Sequence, residues 1–180
     1  ATVTPRVAVL GAPTGIELDA AMLGAAFPTR ASYREEARAL LDSLRMFHDG
    51  PIAIVQGEGP DAPVTHAAIR AEALARGASI AFDGSAAQWQ ARSTREAKAG
   101  AVVISGDALG VAPVAQHTRR VSPQSWLLAF STVDYRNLFE LAGAAASGMF
   151  IAQVVPPPGK TIHAFQREHR ALMKQFRDEP

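Results

Sequence analysis

The residues best suited to chemistry fall in short loops. The first is Gly57-Glu58-Gly59-Pro60-Asp61-Ala62, which fits the pattern G-x-G-x-x-A. In a nucleotide-dependent enzyme such a loop follows a strand and opens a helix. Its glycines let a pyrophosphate approach the helix N-terminus, and an acid on the next strand takes the ribose hydroxyls. Asp83 stands near the place of that acid. This reading makes the chain an FAD- or NAD-dependent oxidoreductase. Two features oppose it. Pro60 and Pro63 remove backbone donors from the cradle, and Glu58 and Asp61 put negative charge where the pyrophosphate would lie. Gly159-Lys160-Thr161 ends like a phosphate-binding P-loop, but Val154 stands where that motif needs its first glycine.

Three further polar residues, Asp107, Ser131 and Thr132, each follow an apolar run. Short polar groups at strand ends contact ligands in parallel sheets, and the same residue types cap helices. Both roles are compatible at one position. A catalytic assembly does not form. His48, His66, His117, His163 and His169 lack metal-ligand spacing, so they read as helix-surface residues, with His169 partly packed. Ser43, Ser105 and Ser131 lack a G-x-S-x-G elbow. Glu35 and Glu36 read as first-turn charges rather than a catalytic pair. Trp89 and Trp126 read as packing residues, with Trp89 exposed if its polar helix faces water. The expectation is a non-catalytic protein that uses no cofactor and no metal.

The elements that must position these loops alternate. Apolar runs at 6–10, 52–55, 79–82, 101–104, 126–130 and 149–155 read as strands. Helical patterns fall at 16–25, 33–47, 64–76, 86–99, 109–120, 135–141 and 162–176. Ser32 followed by Glu35 is a capping box opening the second of these, and Gly77 closes the third. Pro113 predicts that the helix at 109–120 starts near Val111. Pro156, Pro157 and Pro158 end ladder pairing and mark a linker. The last helix carries an apolar stripe of Ile162, Phe165, His169, Leu172 and Phe176. Strands without polar alternation, each followed by a helix, predict an α/β fold. Its doubly wound, mostly parallel sheet has helices on both faces.

The chain has 180 residues, 48% of them hydrophobic and 19% charged, enough apolar material for about one packed domain. Eighteen basic and seventeen acidic residues give a net charge of +1, with no block of one sign, so nucleic acid is not an expected partner. Cysteine is absent, which removes disulfides and thiol catalysis. No apolar run approaches the ~20 residues that span a bilayer, so no membrane insertion is expected. The first residues lack a signal peptide's pattern, which implies a cytosolic protein or a signal removed before residue 1.

The order of these segments resembles a known family. Residues 27–37, Phe-Pro-Thr-Arg-Ala-Ser-Tyr-Arg-Glu-Glu-Ala, are similar to the entry into the second lobe of the branched-chain amino-acid-binding proteins. Residues 9–15 resemble the end of that family's first lobe, and 52–56, 101–104, 127–133 and 147–156 follow in its order. The last carries a G-x-x-x-x-Q-V-V-P run. The resemblance implies the type I periplasmic binding fold, in which two α/β lobes close over a ligand. It implies a solute-binding component of an ABC importer, periplasmic, holding a small polar solute (an amino acid or related organic acid) in an interlobe cleft, with the transporter permease as partner. A ligand-sensing regulatory module on the same fold is the alternative. By the same resemblance the ligand contacts are Ala12, Pro13 and Thr14 from the first lobe. Those from the second are Asp61, Asp107, Ser131 and Thr132. Ser131 stands where amino-acid binders place an acid for the ligand ammonium, and Asp61 and Asp107 replace aromatics, leaving Asp107 to meet an ammonium. The family's members are about twice as long. The expected organisation is therefore a first-lobe remnant at 1–31, the second lobe at 32–155 and a hinge return with a helix at 156–180. The two remnants would pack atypically or join two copies as a homodimer.

Overall fold

The computed structural model describes residues 9–12, 15–17, 26–28, 30–94, 96, 99–154 and 167–168. Strands β1 (Val9–Ala12) and β2 (Ala26–Pro28) pair in parallel, Val9 opposite Ala26, as a two-stranded sheet. Helix α1 (Tyr33–Leu44) follows, then β3 (Ile52–Gln56), α2 (Ala62–Ala75), β4 (Ile80–Ser85) and the short α3 (Ala86–Gln90). Next come β5 (Ala101–Ser105), α4 (Ala108–Val121), β6 (Trp126–Ala129), α5 (Tyr135–Ala142) and a 3-10 turn, and finally β7 (Phe150–Ile151). Strands β3 to β7 form one sheet, parallel throughout, in the order β4-β3-β5-β6-β7.

The sheet is covered on both faces, which explains why its central strands are apolar without alternation. On one face Ile52, Ile54, Ala101, Val103, Leu128 and Phe130 pack against α1 and α2 through Leu40, Leu41, Leu44, Ile69 and Ala73. On the other, Ala53, Val55, Val102, Ile104, Leu127 and Ala129 pack against Trp89, Val111, Val114 and Leu138. Each buried valine, leucine or isoleucine among them contributes about 1.5–3 kcal/mol relative to exposure, and each alanine less. Strand β4 is an edge and alternates half-buried with exposed residues, so the strand expected at 79–82 becomes a longer, half-exposed one.

Helix starts follow the chemistry of their caps. The Ser32–Glu35 capping box is present in both directions, and the hydrogen bonds from Ser32 hold the Glu35 carboxyl below its usual range. Asp107 accepts from the Gly110 amide and fixes the start of α4 at Ala108, not near Val111. The cap outweighs Pro113, which remains inside the helix and forfeits one hydrogen bond there. The helix expected over 86–99 stops at Gln90. Ser93 then bonds Glu96 in a second turn, and the Arg92 guanidinium holds the Glu96 carbonyl. Trp89 is buried, 1% exposed, because its indole N–H reaches Thr118 Oγ1 at 2.9 Å. Trp126, by contrast, is 36% exposed at the start of β6. His117 is also buried rather than on a helix surface. The strand expected over 149–155 keeps only Phe150–Ile151 as ladder, and Val155 lies outside the described residues. Residues 16–17 are not helical, while the rest of the helix expected at 16–25 lies outside the description. So do His163, His169, the linker at 156–158 and the helix at 162–176, apart from residues 167–168, which are helical.

Candidate functional site

The carboxyl ends of β3, β5 and β6 bring three loops together, and backbone contact locks two of them. Gly57 donates its amide to the Ser105 carbonyl at 2.8 Å, and Asp107 donates its amide to the Glu58 carbonyl at 2.9 Å. The approach is close enough to require glycine. A Cβ on Gly110 would stand 2.6 Å from the Glu58 carbonyl oxygen, and one on Gly106, whose φ is +142°, would stand 2.5 Å from the same atom. The third loop joins through Thr132, whose hydroxyl donates to the Gly106 carbonyl at 2.7 Å.

This arrangement gives the G-x-G loop a different job from the nucleotide cradle. Its glycines serve packing against the start of α4, and a Cβ on Gly59 would meet the Asp107 carboxylate at 3.0 Å. An anionic side chain stands where a pyrophosphate would need room and positive charge. Asp83 is also spent: Arg70 Nε lies 2.6 Å from it and His66 Nε2 lies 3.0 Å away, tying β4 to α2. The dinucleotide reading is therefore left without its cradle and without its ribose acid.

The expected site residues divide into four groups. Asp107 and Thr132 line one hollow of about 400 Å³ with Ala108, Leu109, Asp134, Asn137, Glu140 and Leu141. Ser131 is drawn into a charged cluster instead. Its amide and hydroxyl donate to the two oxygens of Glu36 at 3.1 and 2.9 Å, and Arg30 Nη2 donates to Ser131 Oγ at 2.7 Å and to Glu36 at 2.5 Å. Glu36 is 4% exposed. Asp61 is the third case. It precedes α2 yet makes no side-chain cap bond. Its carboxylate instead acts on Tyr33, whose hydroxyl pKa is raised, first by burial and then by that carboxylate. The Arg30 guanidinium lies 5.0 Å from the centroid of the same tyrosine ring. Ala12 ends β1, while Pro13 and Thr14 lie outside the described residues. Gly15, just beyond them, accepts the Tyr33 amide at 2.6 Å.

Arg30, Tyr33 and Glu36 are absent from the expected site. Glu36 carried a signal: it precedes Leu40 by four residues and so shares the buried face of α1. First-turn charge obscured it, because the neighbouring Glu35 does serve the cap. Asp134, Asn137 and Glu140 had no comparable signal, since a helical surface presents polar residues in any case.

No family model matches this sequence, and no curated protein matches it. The solved structures do. An extracellular ligand-binding receptor from Verminephrobacter eiseniae aligns over 94% of this chain at 23% identity, with a TM-score of 0.67. This is the fold of one lobe of a type I periplasmic binding protein. A substrate-binding periplasmic protein from Ralstonia solanacearum covers 96% of this chain at 22% identity and a TM-score of 0.69. A branched-chain amino acid ABC transporter structure from Thermus thermophilus with bound valine covers 97% at 21% identity, also at 0.69. The chain spans about half the length of each: 50%, 51% and 47%. In a type I lobe the loops at the carboxyl ends of the strands are where a doubly wound sheet presents its ligand contacts. Among the described residues no helix is long and apolar enough to cross a membrane.

Proposed function

We propose that this chain supplies one lobe of a solute-binding component of an ABC importer, acting in the periplasm and handing a small polar solute to a permease. It performs no chemistry. The observation that carries the reading is the crest of the sheet. Asp107 and Thr132 line an open hollow of about 400 Å³, on a fold shared with ligand-binding receptors. Hollows of this size suit a small solute, whose polar ends a few placed side chains fix. Ala12, Pro13, Thr14 and Asp61 complete the contact set in this reading, and 32–155 is the ligand-bearing second lobe. Ser131 acts through Glu36, as a strut beneath the crest rather than a direct contact.

Isothermal titration of the protein against aliphatic amino acids, small organic acids, alcohols and amines tests the proposal. Saturable heat with one solute class is expected, weak because one lobe supplies only part of a closed site. Silence across the whole panel at millimolar solute contradicts it. A thermal shift with NAD or FAD, unmatched by the other solutes, would return the nucleotide reading to the front.

A further inference from the structure

We propose that the side of the crest facing α1 and α2 receives the uncharged hydroxyls of a small polyol, with Ser105 and Gln56 as specificity-determining residues. The proposal rests on the solute-binding reading above and names the solute class. The sheet order β4-β3-β5 reverses its direction of growth between β3 and β5. In an open parallel sheet the ligand crevice lies beyond the carboxyl ends of the strands at such a point. Gln56 ends β3, Ser105 ends β5, and the two are paired directly in register. The alternation that turns Ile52, Ile54, Ala101 and Val103 towards α1 and α2 turns both of them to the same face.

Ser105 is fully buried, and its Oγ has no hydrogen-bond partner among the described residues. A hydroxyl so placed has given up water and gained nothing, which a packed interior rarely tolerates. The Gln56 side chain beside it is half-buried and makes no hydrogen bond among the described residues. Along the same face Phe130 follows Ala129, the partner of Ile104, and meets the Tyr33 ring edge-on at 6.4 Å. Arg30 covers that ring, its side chain 18% exposed, and its Nε is buried with no partner. The Arg30 charge is already matched by Glu36, while Asp61 acts on the Tyr33 hydroxyl.

The row thus offers a donor in Arg30 Nε, an acceptor in Asp61, and two groups, Ser105 and Gln56, that do both. A hydroxyl also does both and carries no charge. A carboxylate would meet Asp61 and find Arg30 already paired, and an ammonium would meet Arg30.

The experiment is calorimetric titration with butane-1,2-diol and erythritol, set against butyrate, butylamine and butyramide. The two hydroxyl compounds are expected to bind, erythritol more tightly, and the other three to give no heat. Ser105→Ala and Gln56→Leu should each weaken erythritol binding about fivefold. Ser105→Ala should at the same time leave Tm equal to or above the parent's, because it removes an unpaired buried hydroxyl. A lowered Tm in that variant would show the hydroxyl already satisfied in the ligand-free protein, by a water for example, and overturns the proposal. So does absence of heat from both hydroxyl compounds, equal binding of butyrate or butylamine, or indifference of erythritol binding to both substitutions. Butyrate, butylamine or butyramide binding with the hydroxyl compounds silent overturns the polyol assignment and leaves solute binding standing. Silence across the wider panel removes both.

Discussion

Replacing Gly110 by alanine sets two effects against each other, and the structure decides which wins. Gly110 lies in the first turn of α4, and its φ is not in the left-handed region. On propensity alone, alanine in a helix gains about 1 kcal/mol over glycine. The added methyl, however, would stand 2.6 Å from the Glu58 carbonyl oxygen and 2.8 Å from the Glu58 Cα. Backbone cannot swing aside like the end of a side chain. Reaching ordinary contact demands a shift of about 1 Å between the two loops. That shift breaks the bond from the Asp107 amide to the Glu58 carbonyl, now 2.9 Å. Overpacking costs about 1–3 kcal/mol and the lost bond about 1. After the helix gain is subtracted, Gly110→Ala should destabilise the protein by about 2 kcal/mol. For a domain of this size that is a fall in Tm of about 4–8 °C. Thermal and urea denaturation followed by circular dichroism measure it. A Tm equal to or above the parent's would refute the locked-loop account, because it would mean that propensity prevails and the contact is loose.

Three other outcomes follow from the same structure. Glu36→Gln leaves Arg30 with a neutral partner in a largely buried site, and should cost about 3 kcal/mol in urea unfolding; a double variant with Arg30→Met should recover most of the loss, and no recovery would mean that the pair is not coupled. Glu72, 3% exposed between α1 and α2, has its carboxyl lowered to about 2, chiefly by the Arg34 hydrogen bond, with Arg76 and Arg38 adding to it. Its contribution is therefore complete above the unfolded value near 4.5 and disappears as the pH falls towards 2; Glu72→Gln should flatten stability against pH in that window, and an unchanged profile would show that other groups govern acid unfolding. Trp89→Phe loses the bond to Thr118 and should cost about 1–2 kcal/mol in thermal unfolding; a neutral effect would place the indole outside the core.

Much of the fold was legible because its signals are local. Apolar runs without alternation announced a sheet buried on both faces, and Ser32 with Glu35 announced the start of α1. Boundaries failed where local signals compete. At α4 the proline pointed to a start near Val111, and the Asp107 cap moved it to Ala108. At α3 the helical pattern continued past Gln90, yet Ser93 and Glu96 closed on each other and ended it. The site was legible in part for a related reason. Asp107 and Thr132 follow strands directly, so their place at the crest could be read from the chain. Glu36 reaches Ser131 across 95 positions of sequence, and no spacing rule reports a partner that only the sheet brings near. The G-x-G loop misled for the opposite reason. Close approach of backbone demands glycine whether the neighbour is a phosphate or Gly110.

In the proposed role a small solute sits in the hollow at the carboxyl ends of β5 and β6. Amide chemical-shift mapping by ¹H–¹⁵N NMR, with the solute that gives heat in calorimetry, tests it most directly. Shifts are expected to concentrate at residues 57–61, 106–110 and 131–141, with the Gly59, Gly106 and Gly110 amides among the largest. Shifts centred instead on the hollow at the opposite end of the sheet, lined by Arg45, His48 and Arg76, would contradict it.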